Sequence, residues 1–178
     1  MSGMTSMKKW TASACVLIAA LALTACNSSK DQATSAPGDS AAAGAKKATV
    51  ARPGANADDN SWGLYLADQG KVHADDIGMK PFIYVIPAGE GDMANDRRKN
   101  ESDSIVHGAG SVLIPGALLI IGGPDAKATD DFVQGLGKDV KADTLKNVTV
   151  LVVSDAAQKD ALSKALAPSG ARARVVSM

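Results

Sequence analysis

The sequence predicts an α/β domain in residues 61–178, a small three-layer sandwich around a mostly parallel sheet of four or five strands. Three apolar runs carry this prediction: 81–86, 117–121 and 148–153. They are continuous rather than alternating, as in strands that are buried on both faces. Helical patterns separate them, and right-handed crossovers would then place helices on the faces of the sheet.

The domain begins with residues 62–66, which hold one of the two tryptophans. Gly70 and the pair Asp75-Asp76 interrupt a longer pattern, so this segment predicts a short strand or a single helical turn packed on the sheet. Trp62 is expected in the core, since the domain has few aromatic residues to fill it. An exposed binding role for Trp62 is the alternative.

Residues 91–104 carry almost no apolar side chains, so a helix there would be solvated nearly all round. Short strands are expected at 105–106 and 112–114, on either side of a turn at 107–110. This part of the domain, 91–114, is expected to be mobile or to contact a partner.

A helix is predicted over 129–140, where Phe132, Leu136 and Val140 recur at every fourth position. Thr129 is the predicted N-cap, and the two aspartates after it complement the helix dipole.

The next helix should begin after a cap at Ser154 or Asp155 and stop at 168–170, where proline and glycine follow each other. Residues 171–176 then alternate in polarity, which is typical of a half-exposed strand at a sheet edge.

Before the domain, residues 27–59 consist largely of Ala, Ser, Gly, Asp, Lys and Thr, with Val50 as the one large aliphatic residue. Such a segment buries too little apolar area to offset the entropy of ordering it. Residues 26–60 are therefore predicted to be a disordered, flexible tether. A flexible chain of about 30 residues spans roughly 30 Å.

The first 25 residues have the order of a secretory signal peptide. Lys8 and Lys9 precede an apolar core of about a dozen residues, and small residues follow. The core is shorter than the ~20 residues that a membrane-spanning helix needs. Met7 is the expected start, because it places the lysines at the beginning of the signal.

The segment ends in Leu23-Thr24-Ala25-Cys26, which resembles the lipobox that signal peptidase II cleaves in bacterial lipoproteins. The resemblance implies that Cys26 opens the mature chain, with diacylglycerol on its sulfur and a fatty acyl group, such as palmitate, on its amine. Two or three acyl chains anchor a protein stably. An ordinary secreted protein with an incidental cysteine is the alternative. Asn27, where inner-membrane lipoproteins carry aspartate, implies the periplasmic face of the outer membrane over the inner membrane.

Charge and cysteine content exclude several functions. The chain has 19 basic and 19 acidic residues, and the loss of the two signal lysines leaves it slightly acidic. The sequence has no cluster of positive charge of the kind that nucleic-acid binding requires. Cys15 and Cys26 are the only cysteines, so the domain has no thiol for a disulfide, a redox pair or a thiolate metal site.

Ligands of open α/β sheets bind beyond the carboxyl ends of the strands. Three loops follow the predicted strands, at 89–92, 122–125 and 154–155. Carboxylates there suit Mg²⁺ or Ca²⁺, but each aspartate also has an ordinary structural role as a helix cap or turn residue, and no metal signature is present. We therefore expect no metal site. The candidate ligand-binding residues are Glu90, Asp92, Gly122, Gly123, Asp125, Ser154 and Asp155.

No catalytic motif is complete. Gly122-Gly123 lies between a strand and a helix, where a phosphate loop would lie, but the dinucleotide and Walker fingerprints are missing, and a tight strand-to-helix turn explains both glycines. Residues 108–111 lack the Gly-x-Ser-x-Gly form of a hydrolase elbow. His73 and His107 are the only histidines. No catalytic residue is assigned.

The sequence thus predicts a non-enzymatic binding or accessory module of the bacterial envelope. Its expected partner is an envelope protein or a cell-wall component, and no cofactor is expected beyond the lipid on Cys26. The alternative is a domain that binds or hydrolyses a small anionic ligand with the three strand-end loops.

Overall fold

Four α-helices and four β-strands make up residues 48–178, the part of the chain that the computed structural model describes. The predicted signal peptide, Cys26 and most of the predicted tether lie outside these residues. In chain order the elements are α1 (Asp59–His73), β1 (Phe82–Val85), α2 (Asp92–Gly108), β2 (Leu118–Gly122), α3 (Ala126–Asp139), β3 (Thr149–Ser154), α4 (Lys159–Leu166) and β4 (Arg172–Ser177). Short 3-10 turns at Ala156–Gln158 and Ala167–Ser169 flank α4.

The strands form one sheet in the order β1-β2-β3-β4, and all three pairings are parallel. This confirms the predicted α/β class and parallel sheet. Every residue of β2 and β3 is buried, as their continuous apolar runs require. At the edge, β4 is mostly exposed or half-buried, as its alternating sequence predicts.

The two faces of the sheet are covered unequally. Each new strand is added at the same edge of the sheet, next to the strand that precedes it in the chain. Right-handed crossovers therefore place α2, α3 and α4 on one face. There Leu119 and Ile121 pack in one cluster with Val133 and Leu136 of α3. On the other face α1 packs alone, through residues that include Leu66. The domain has three layers, with three helices on one side and one on the other.

The prediction of a short strand or a single helical turn at 62–66 was wrong in extent, since these residues belong to the 15-residue helix α1, which does pack on the sheet. Asp58 caps this helix by accepting a hydrogen bond from the backbone N–H of Ser61 at 2.7 Å. Gly70 lies within the helix, where a Cβ would stand 2.6 Å from Ile120 Cδ1. Gly70 therefore lets α1 lie close to the sheet. Trp62 is buried at 1% exposure, as predicted.

The strands predicted at 105–106 and 112–114 are absent. Residues 105–106 belong to the last turns of α2, and near 112–114 there is only an isolated bridge between Ala109 and Leu113. Ile105 is fully buried and joins the core, whereas the rest of α2 is exposed or half-buried. The expectation of a solvated helix is confirmed for most of α2, and the apolar contacts of Ile105 and Val106 with the core lie near its end.

Helix α3 begins before the predicted start. Asp125 is its N-cap, and the predicted cap Thr129 lies inside the helix, where its hydroxyl donates to the Asp125 carbonyl at 3.0 Å. The predicted stop after α4 is confirmed, because Gly170 adopts a left-handed conformation at φ 78°.

Residues just before α1 contact it. The Asp68 carboxylate accepts hydrogen bonds from the N–H groups of Thr49 and Val50, at 2.7 and 3.0 Å, and from the Thr49 hydroxyl at 2.8 Å. These bonds, with the one from Val50 contributing most, hold the pKa of Asp68 below its usual value. Contacts with the domain thus begin ahead of residue 61. Across residues 48–178, no helix is long and apolar enough to cross a membrane.

Candidate functional site

The predicted ligand-binding residues all lie beside the carboxyl ends of the strands. Parallel pairing places these ends at one edge of the sheet. Glu90 and Asp92 follow β1, Gly122 to Asp125 end or follow β2, and Ser154 and Asp155 end or follow β3. These residues differ in whether their side chains, or the space beside the glycines, are accessible to a ligand.

The space beside each of the two glycines at this edge is occupied by other atoms of the protein. A Cβ on Gly122 would lie 2.6 Å from Leu66 Cδ2, and one on Gly123 would lie 2.1 Å from the carbonyl oxygen of Ile86. Gly122 therefore admits a side chain of α1, and Gly123 admits the backbone that follows β1. This packing leaves no cradle for a phosphate at the two glycines.

The aspartates after β2 and β3 cap helical turns. Asp125 Oδ1 accepts the N–H groups of Lys127 and Ala128, at 2.8 and 3.3 Å. Asp155 Oδ1 accepts the N–H of Ala157 at 2.9 Å. Their oxygens stabilise the ends of helices, as N-cap residues do.

Ser154 is tied to a buried acid that the sequence analysis missed. Its hydroxyl lies 2.6 Å from Asp130 Oδ1 and 3.1 Å from the carbonyl oxygen of Ala126. Both residues are buried. Burial, more than any neighbouring charge, raises the pKa of Asp130, and the carboxylates of Asp155, Asp131 and Asp125 add to the rise. From the sequence, Asp130 was interpreted only as one of two acids that complement the dipole of the predicted helix, and no local pattern indicates its contact with Ser154.

Strand order explains why this edge lacks a crevice. Ligands of open α/β sheets bind where the strand order reverses, because helices diverge to opposite faces there. In the described sheet the order runs from β1 to β4 without a reversal. Consistent with this, residues 48–178 contain no group of three or more His, Cys, Asp or Glu side chains placed to hold a metal ion.

An open groove lies instead between α2 and α3. It has a volume of about 810 Å³. Its floor comes from α3, where Phe132, Gly135 and Leu136 follow each other along one face of the helix. A Cβ at Gly135 would meet no atom within 4 Å, so the missing side chain leaves real space. We call this feature the α2–α3 groove.

Ion pairs follow both walls of the α2–α3 groove. Lys99 pairs with Asp103 on α2 at 2.5 Å, and Lys127 pairs with Asp131 on α3 at 2.6 Å. Each carboxylate raises the pKa of its lysine. Of the charged residues that line the groove, five are acidic and three are basic: Glu90, Asp103, Asp125, Asp131 and Asp139 against Arg98, Lys99 and Lys127.

Arg98 fixes the loop at one end of the groove. Its guanidinium donates to the carbonyl oxygens of Pro87 and Gly89, at 2.7 and 2.8 Å, and to Asn95 Oδ1 at 2.6 Å. These bonds hold the loop after β1 against α2. Of the predicted site residues, the groove therefore brings together Glu90 and Asp125, and it leaves the glycines and Ser154 outside.

Both histidines lie near the ends of helices. His107 is exposed near the end of α2, with Nδ1 2.6 Å from the carbonyl oxygen of Asp103. The nearby Ser111 hydroxyl contacts only backbone carbonyls, including that of His107 at 3.4 Å. His73 is exposed at the end of α1.

The α2–α3 groove was not predicted, because it arises between two helices. The spacing of Phe132, Gly135 and Leu136 does show a glycine on the apolar side of a predicted helix, and this is the signal that sequence reasoning can use.

Comparisons of the chain with models of protein families, with curated proteins and with solved structures find no match.

Proposed function

We propose that this chain is a bacterial envelope lipoprotein with a non-enzymatic binding module. In this proposal Cys26 carries the lipid and anchors the chain at the periplasmic face of the outer membrane. The α/β domain then binds a segment of another envelope protein in the α2–α3 groove. The observation that carries the proposal is the contrast between this open groove and the occupied ends of the strands.

The lining of the groove favours a peptide-like ligand. Phe132 and Leu136 supply an apolar floor, while the ion pairs on both walls present charges of either sign along it. Binding sites of this type combine apolar contact with a few polar groups that fix orientation. An extended polypeptide offers both kinds of contact.

The charge balance of the groove selects among ligands. With more acidic than basic residues in its lining, it favours a segment that carries net positive charge. The same balance argues against the alternative of a small anionic ligand, since the capping residue Asp155 adds a further carboxylate beside the strand ends.

Site-specific photo-crosslinking in cells tests the binding proposal. A photoreactive phenylalanine at position 135 projects into the α2–α3 groove, where space is open. The matched control has the same residue at Gln134, which is exposed on α3 but does not line the groove. We expect a discrete protein adduct from position 135 and none from 134. Equal adducts from the two positions, or no adduct from 135, would contradict the proposal.

A second experiment tests the anchor separately. Cells fed an alkyne-labelled palmitate should label the wild-type chain, and Cys26→Ala should abolish the label. Membrane fractionation should place the labelled protein with the outer membrane. Labelling that persists in Cys26→Ala would show that the lipobox prediction is wrong, whatever the groove binds.

A further inference from the structure

The two ends of the sheet differ in charge. At the amino ends of the strands lie the segments 71–81, 105–117, 138–148 and 164–172, which carry seven basic and four acidic residues. At the carboxyl ends lie 58–62, 86–99, 122–131 and 154–160, with five basic and ten acidic residues. The domain is therefore polarised along its strands, with a basic amino end and an acidic carboxyl end.

One acid at the amino end is neutralised locally. Asp76 forms a two-pronged ion pair with Arg174, at 2.6 and 2.7 Å, and Arg174 also donates to the His73 carbonyl at 2.8 Å. The lysines of this end include Lys80 and Lys146, and both are exposed. The pairing of Asp76 leaves the positive charge of the lysines less opposed.

Exposed apolar side chains lie among these charges. Met79, Val112 and Ile114 are 38%, 53% and 43% exposed, and they are among the few large apolar residues of the described chain that face solvent. Beside Met79 a hollow of about 520 Å³ is lined mostly by apolar residues such as Ile77 and Ile83, and its charged lining residues are Lys71, Lys80 and Asp75.

These residues belong to neighbouring segments. Met79 Sδ would lie 3.7 Å from a Cβ on Gly116, and the Gly116 N–H donates to the Asn147 carbonyl at 2.9 Å. Arg172 in turn donates to Asn147 Oδ1 at 3.0 Å. We call the surface formed by six of these residues the amino-end surface: Met79, Lys80, Val112, Ile114, Lys146 and Arg172.

We propose that the amino-end surface docks on an anionic lipid bilayer. Its lysines and arginine complement the phosphates of anionic headgroups, each contributing about a fivefold gain in partitioning near such a surface. Its exposed apolar residues can enter the interfacial region, as the apolar parts of peripheral proteins do. Charge complementarity is what selects a bilayer over another protein as the occupant.

Docking in this way sets the orientation of the domain. The strands and helices run from one end to the other, so contact at the amino end turns the acidic carboxyl end away from the bilayer. Glu90 and Asp125, at the mouth of the α2–α3 groove, then face a partner in the periplasm. The inference goes beyond the proposed function and requires neither the groove nor the lipid on Cys26.

Vesicle co-sedimentation tests this docking without the anchor. The soluble chain 27–178 is used, since both hydrophobic clusters of the described part draw their members from residues 57–178. We expect it to bind phosphatidylglycerol vesicles at low ionic strength, to leave them at high salt, and not to bind phosphatidylcholine vesicles.

Paired substitutions locate the surface. Lys80→Gln with Lys146→Gln should weaken binding about 25-fold, at about fivefold per lysine. The matched control, Arg97→Gln with Lys159→Gln, removes the same charge at the carboxyl end, outside the α2–α3 groove, and should change binding less than twofold. Circular dichroism verifies that both variants are folded.

Three outcomes would overturn the proposal: no binding of the wild-type chain to anionic vesicles, equal binding to neutral vesicles, or equal losses in the two double variants. None of these outcomes bears on crosslinking from position 135. Failure of the docking surface and failure of the groove are therefore distinguishable.

Discussion

The ends of strands β2 and β3 and the α2–α3 groove differ in what occupies the space beside their glycines. At Gly123 the missing Cβ is replaced by the backbone of Ile86, whereas at Gly135 nothing lies within 4 Å. Both glycines are near acids and helices, so they look alike in the sequence. A glycine therefore indicates a ligand site only where the space that it leaves is open to solvent.

The largest effect is expected at Gly123. In Gly123→Ala the new methyl would lie 2.1 Å from the Ile86 carbonyl oxygen, so the backbone of one strand end must move. Overpacking of this kind destabilises by about 3 kcal/mol. Urea denaturation followed by tryptophan fluorescence measures the loss. An unfolding midpoint equal to that of the wild type would show that this strand end is loosely packed, contrary to the closed edge described.

Asp125→Ala should have the next largest effect. It removes the side chain that accepts two N–H groups at the start of α3. Loss of an N-cap costs about 1 kcal/mol. Asp125→Asn keeps an accepting oxygen and should lose only part of this. If Asp125 were held for a ligand and not for the helix, both variants would unfold at the wild-type urea concentration.

Gly135→Ala should stabilise the domain. The substitution adds a methyl in open space and removes the conformational freedom of a glycine inside a helix, which is worth roughly 0.5–1 kcal/mol. Thermal denaturation measures the gain. The matched control is Gly137→Ala on the same helix, whose methyl would lie 2.3 Å from the Ala165 carbonyl oxygen and should destabilise. A gain in both variants would mean that α3 and α4 are not in close contact.

The smallest effect is expected at Asp130. Its folded-state pKa is raised, so the folded protein holds the proton to a higher pH than the unfolded chain does. At neutral pH the buried carboxylate is destabilising, and this penalty fades as pH falls through the folded pKa. Asp130→Asn should therefore raise stability slightly at pH 7, and the gain should vanish in acid.

Asp68→Asn is the control for this pH dependence. The pKa of Asp68 is lowered by the groups that donate to it, so its contribution to stability is present above the unfolded pKa of about 3.9 and is lost as pH falls through the folded pKa. Denaturation from pH 7 to pH 3 should show opposite signs for the two variants. The same sign in both would contradict the assigned environments.

Sequence reasoning identified the sheet because burial on both faces leaves a continuous apolar run, and no other segment of residues 61–178 has an apolar run of that length. It failed at α1, where Gly70 looks like a breaker but makes the contact with Ile120 that seats the helix. It also placed Val112 and Ile114 in a strand, although both are exposed after the end of α2. Apolar character alone did not reveal whether these residues are buried or exposed.

The candidate site residues were predicted at the carboxyl ends of the parallel strands, whereas the α2–α3 groove lies between two helices and was not predicted. Two of the predicted residues, Glu90 and Asp125, line this groove. The remaining residues were assigned from loop position, which does not reveal that Leu66 fills the space at Gly122 or that Asp130 engages Ser154. Those contacts join segments far apart in the chain, so no local pattern encodes them.

The strand order has a consequence for how the chain is made. Each strand pairs with the strand before it, and the paired residues are 37, 31 and 23 positions apart along the chain (82 to 119, 118 to 149, 149 to 172). A chain that emerges amino end first, from a ribosome or from an export channel, can therefore add each strand to a sheet already in place. The first strands do not pair with the last one. The domain is therefore suited to folding strand by strand as the chain emerges.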